Sequence, residues 1–91
     1  MNYKKNRKTS VALNYDKENA PTVSASGAGI IAEEIIERAR EAGVPIIEDA
    51  KLAHLLGSVP IGEEIPTELY RAVAEVLVFV LRLELALDER V

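Results

Sequence analysis

The side chains able to do chemistry in this chain are one histidine, two glutamate pairs and a glycine-rich stretch. His54 is the only histidine and there is no cysteine, so a metal site would have to be built from carboxylates around His54. No ligand-like spacing surrounds it. Beside Leu52 and Leu55 on a short helix it reads as a surface or half-buried residue without function. Glu33-Glu34 and Glu63-Glu64 are adjacent pairs, which on a helix point to different sides and form no acid–base dyad. Ser26-Gly27-Ala28-Gly29 precedes a helix, as in a phosphate-cradling loop whose helix N–H groups face an anion. Ala32 replaces the third glycine of such a loop, no Lys-Ser/Thr pair follows, and Glu33 and Glu34 repel phosphate. Glycines that permit a tight turn and close helix packing account better for the stretch. No Ser, His and acid group into a triad. The reading is of a non-enzyme with no cofactor and no metal.

The elements that position these residues follow from periodicity and stop signals. Val11 to Tyr15 alternates, which predicts a strand with Val11, Leu13 and Tyr15 on one face. Asp16 to Asn19 is a polar turn, Pro21 suits a strand start or an edge, and Thr22 to Ala25 is a second strand. Ser26 to Gly29 is then a turn into a helix over Ala28–Ala42, with Ile31, Ile35, Ala39 and Ala42 as its apolar stripe, widened by Ala32 and Ile36. Gly43 and Pro45 stop that helix, and Val44 to Ile47 reads as a third, buried strand. Asp49 caps a short helix to Leu56. Ile61 and Ile65 tuck into the core from a loop, and a last helix runs over Thr67–Asp88 with Leu69, Val73, Val76, Leu77 and Val80 buried. The class is mixed α/β (α+β). It has a small three-stranded sheet containing a strand–helix–strand unit, with about three helices packed around it and a parallel strand pair in that unit.

Composition narrows the function classes. Apolar residues make up 48% of the chain, enough for a globular core, yet Tyr3, Tyr15, Tyr70 and Phe79 are its only aromatics. Residues 1–10 carry about +4 and the remainder about −8, within a net charge of −4. The acidic body argues against nucleic acid as a partner. Residues 1–10 read as a flexible basic leader and 11–91 as one domain. The first ten residues lack the apolar core of a signal peptide, and the longest apolar run, Val76 to Leu81, is too short to span a bilayer. The expectation is a cytoplasmic protein that does not insert into membranes. The middle of the last helix, with Val78, Phe79 and Leu81 added to its buried face, is apolar nearly all round and hints at an interaction surface.

Several stretches together resemble the C-terminal cytoplasmic domain of the FlhB/YscU family, the substrate-specificity switch proteins of flagellar and injectisome type III export. They are Val11 to Asp16, Ala20 to Val23, Gly27-Ala28-Gly29, Val44 to Glu48, Leu52-Ala53, Ile61 to Pro66 and Leu69 to Leu77. In that family the domain follows a transmembrane part, so the chain resembles a stand-alone paralogue of the soluble domain. The family cleaves itself at an Asn-Pro-Thr-His motif just before the strand matching Val11–Tyr15. Here Lys5-Asn6-Arg7-Lys8 occupies that place and no Asn-Pro pair occurs anywhere. Self-cleavage is therefore not expected. The family strand that precedes the motif is missing as well, and a sheet short of one strand presents an open edge for strand addition.

The resemblance implies a soluble accessory of type III protein export, recruited from the cytoplasm to the apparatus at the inner membrane. Its partners would be the membrane-anchored switch protein, other gate components or export substrates, and it could stand in for the cleaved switch fragment. The candidate partner-binding residues are Val11, Leu13 and Tyr15 on the edge, and Ala20 and Pro21, which align with a family surface implicated in engaging substrates. Two other readings stay open. One is a phosphate-ligand site at Gly27-Ala28-Gly29, and the other a homodimer through Val76–Leu81 with no export role.

Overall fold

The computed structural model describes residues 8–88. Two strands, β1 (Thr9–Asn14) and β2 (Thr22–Ala28), pair antiparallel from Thr9↔Ala28 to Asn14↔Thr22. The register slips between Ala12 and Leu13, leaving Ser24 as an extra residue of β2 whose hydroxyl donates to the Ala12 carbonyl at 3.2 Å. This bulge sharpens the local twist of the pair. Three helices follow: α1 (Ile30–Glu41), α2 (Ala50–Leu56) and α3 (Tyr70–Asp88), the last entered through a 3₁₀ turn at Thr67–Leu69.

Local chemistry explains the helix ends. The Asp49 carboxylate accepts the Leu52 N–H at 3.1 Å and opens α2. Gly43, at φ 73°, takes the left-handed conformation after α1, where Arg38 and Arg40 sit favourably against the helix dipole. The core is small. Val23, Leu52, Leu56, Ile65 and Val73 are buried, with Val11, Leu13, Val59, Leu69, Ala72, Val76 and Leu77 packed against them. Ala32 of α1 is buried apart from that cluster.

Four expectations are corrected. The third strand is not formed: Val44, Ile46 and Ile47 are 52%, 44% and 37% exposed in a connection without regular secondary structure, and the sheet has two strands among the described residues. A strand needs a neighbour for its backbone groups, and among the described residues none is paired with this stretch, so no parallel pair is formed there. Ser26 to Ala28 is strand, not turn, which lengthens β2 and starts α1 at Ile30. The α1 stripe turns on Ala32, with Ile35, Ile36 and Ala39 half-buried, while Ile31 and Ala42 are exposed. Ile61 is exposed, because Gly62, at φ 96°, turns the chain so that Ile65 enters the core instead.

Gly27 shows why α1 can lie close to β2. A Cβ there would stand 2.3 Å from Ile31 Cγ2 and 2.8 Å from Ile31 Cβ. Since the Ile31 Cβ is fixed to the helix, relief requires α1 to move. Gly27→Ala is expected to destabilise the fold by about 1–3 kcal/mol, read as a lower urea midpoint. An unchanged midpoint would show that α1 is not held against β2 here.

A candidate apolar groove

The β1–β2 connection is shaped by Asp16. Its carboxylate accepts the backbone N–H groups of Glu18 and Asn19, both at 2.9 Å, and the Asn19 side-chain amide at 3.2 Å. Lys17 adopts a left-handed φ of 72° to close this turn. The backbone N–H of Asn19, then that of Glu18 and the Asn19 side-chain amide, hold the Asp16 carboxyl below its usual range. Its contribution to the turn is therefore present above the ordinary aspartate value and lost as pH falls through the lowered one. In an NMR titration, the Glu18 and Asn19 amide shifts should move together at a pH below that of an unstructured aspartate. Movement at the ordinary aspartate pH would contradict the turn geometry.

Beyond the turn, Pro21 begins the approach to β2, where its missing N–H leaves no ladder bond unmade. Its carbonyl accepts the Ile65 N–H at 3.0 Å, the Val23 N–H donates to the Glu63 carbonyl at 3.0 Å, and the Gly62 N–H to the Val23 carbonyl at 2.7 Å. These bonds stitch the loop before α3 along the outer edge of β2. They also bring Ala20 and Pro21 against the first turns of α3.

The result is an open groove of about 220 Å³ between the turn and α3. Tyr15, Asn19, Ala20 and Pro21 form one wall, Tyr70, Val73, Ala74 and Leu77 the other, and Ile65 completes the lining. No acid, base or nucleophile is among these residues, so the groove offers apolar contact and two phenolic edges, not catalysis. The volume is below that of a small-molecule pocket and suits one or two apolar side chains of a peptide.

Of the five candidate residues, the structure brings Tyr15, Ala20 and Pro21 together in this groove. Val11 and Leu13 lie elsewhere, in β1, half-buried against the core. Tyr15 stands just beyond the end of β1 rather than inside the strand. Asn19, Ile65, Tyr70, Val73, Ala74 and Leu77 were not among the expected site residues. The signal for three of them was present: Tyr70, Ala74 and Leu77 recur at helical spacing, but Leu77 reads equally as core.

The Gly27-Ala28-Gly29 turn on which the phosphate-loop alternative relied is not formed. Ser26, Gly27 and Ala28 are paired in β2, and the Gly29 N–H donates to the Lys8 carbonyl at 2.9 Å. A backbone donor engaged in this way is not available to an anion. Among the described residues no group of three His, Cys, Asp or Glu side chains is placed to hold a metal ion, and His54 is exposed. Asn6 lies outside the described residues.

The sequence pattern of the FlhB HrpN YscU SpaS family matches residues 7–80. The chain belongs to this family. It is 45% identical over 76 residues to the Bacillus subtilis protein YlqH, covering 81% of this chain and 82% of that one. Against the flagellar biosynthetic protein FlhB of Salmonella typhimurium it is 50% identical over 78 residues, 82% of this chain but only 20% of FlhB. Its fold is similar to the crystal structure of the cytoplasmic domain of FlhB from Shewanella putrefaciens. The TM-score there is 0.83 at 33% identity, over 90% of this chain and 69% of that one. The chain thus spans about a fifth of the FlhB proteins it matches and most of YlqH. Mixed α+β architecture with a two-stranded antiparallel sheet and three helices is this domain's form of the family fold. Among the described residues, no helix is long and apolar enough to cross a membrane.

Proposed function

We propose that this domain serves type III protein export, binding a short apolar segment of an export substrate in the groove between Ala20-Pro21 and α3. The single observation that carries the reading is the convergence of two independent lines on one surface. The family resemblance picks out Ala20 and Pro21, and the fold sets them beside Ala74, Leu77 and both described tyrosines. A groove lined by fixed apolar walls favours an extended segment with one or two apolar side chains. The binding test is fluorescence anisotropy with labelled fragments of flagellar export substrates. Saturable binding lost when the apolar residues of the fragment are changed to serine is the expected result. Absence of binding by any fragment to folded protein would overturn the proposal.

A second observation favours docking on the apparatus itself. Among the described residues the outer edge of β1 carries no strand, and the Val44–Ile47 connection is exposed. Unpaired backbone groups and uncovered apolar side chains on one domain suit the addition of a strand. The partner for that edge in this reading is the membrane-anchored part of a longer family member. Val11 and Leu13 then act through the strand they belong to, not through the groove.

A further inference from the structure

The second half of α3 leaves apolar side chains uncovered on the side away from the core. Ala74, Val78, Leu81 and Leu85 recur at spacings of four, three and four, which places them in one narrow stripe. Val78 is 46% exposed, Leu81 37% and Leu85 61%. Val73, which is buried, and Val76, packed against the core, turn toward the body of the domain from the opposite side. Such a stripe has the spacing of a coiled-coil seam.

The charges beside the stripe identify its occupant. Glu75 and Arg82 each stand one position after a seam residue, on the same flank, and both are exposed. Seven residues separate them, about 10.5 Å along the helix, so they are too far apart to pair with each other. We propose that the stripe pairs with the same stripe of a second copy of this chain, the two α3 helices running antiparallel about a two-fold axis near residue 79. Val78 then packs against Leu81 of the partner subunit, and Ala74 against Leu85 of the partner subunit. In this register Glu75 and Arg82 of the partner subunit lie on the same flank, two residues or about 3 Å out of level along the axis, within reach of an ion pair, and by symmetry so do Arg82 and Glu75 of the partner subunit. A two-fold interface requires this kind of self-complementarity. Parallel pairing lacks it, because it sets Glu75 and Arg82 beside Tyr70 and Leu77 of the partner subunit. Ala74 also lines the groove, so dimerisation and peptide binding compete for it, and the inference does not rest on an export role for the groove.

The seam from Ala74 to Leu85 is only about 17 Å long, so the dimer is weak, with Kd on the order of 10–100 µM. Sedimentation equilibrium on the full chain tests it. Wild type is expected to dimerise in that range, and Glu75→Arg and Arg82→Glu alone to associate roughly tenfold more weakly, since each sets like charges face to face. Circular dichroism establishes that both variants are folded. An equimolar mixture of the two is expected to regain wild-type association, because each variant carries the charges that complement the other. Wild type monomeric up to about 1 mM, single variants that associate like wild type, or a mixture no tighter than its components would each overturn the proposal. Leu81→Glu, at a position outside the groove lining, should abolish the dimer; a dimer that survives it would place the contact elsewhere.

Discussion

Replacing Leu56 by alanine is expected to destabilise the domain by about 3 kcal/mol. Leu56 is 3% exposed and belongs to a cluster of five buried residues contributed by β2, α2, the loop before α3, and α3 itself. Removing its branched end strips contacts from several of these elements together, and the cluster is too small to collapse into the space left. A domain of this length has on the order of 5–10 kcal/mol of stability, so one substitution removes a third or more of it. Leu55 is the internal control. It is the next residue on α2 but 43% exposed, and its alanine variant should cost less than about 1 kcal/mol. Urea unfolding distinguishes the two, with a lower midpoint and unchanged slope for Leu56→Ala. Equal losses would mean that α2 is not oriented as described.

Ala74→Glu is expected to weaken substrate binding tenfold or more while leaving the fold intact. Ala74 lines the groove opposite Ala20 and Pro21 and is itself exposed, so a longer side chain has room without entering the core. The carboxylate then occupies the space of an apolar side chain and must be desolvated for any peptide to bind, which opposes association. Leu77 is a poorer probe, since it packs against the core as well as lining the groove. The check is anisotropy with the fragment that binds wild type, beside a thermal melt. Retained affinity in a folded Ala74→Glu protein would move the binding surface away from α3.

These two cases also show what could be read in advance. The α2 helix was legible because Asp49 is a local signal, and local signals do not depend on what packs nearby. The stop of α1 at Gly43 was legible for the same reason. Val44 to Ile47 was misread because an apolar, β-branched run says that a stretch prefers extended backbone, not that a neighbour strand exists. The missing ingredient is the partner strand. Ser26 to Gly29 was half misread: Ser26 to Ala28 is strand instead of turn, while the close helix packing expected of the glycines is present at Gly27 and Ile31.

The candidate site was half legible. Ala20 and Pro21 came from family resemblance, and nothing in their own chemistry marks a binding surface. Tyr70, Ala74 and Leu77 reach them only because the loop at Gly62–Ile65 is bonded along β2, a long-range pairing that no periodicity reveals. Pattern separated core from surface on α3 correctly for Val73 and pointed to the apolar excess at Val78, Phe79 and Leu81, but which of these stay exposed needed the three-dimensional placement of the helix.

The most direct measurement is complementation. The chain is expressed in cells whose membrane-anchored family protein is truncated just after its own cleavage position, and early and late export substrates are assayed in the medium. The account predicts that wild-type chain restores export and that Ala74→Glu, folded and equally abundant, does not. Export that stays absent with abundant folded wild type, or that Ala74→Glu restores equally well, would contradict it.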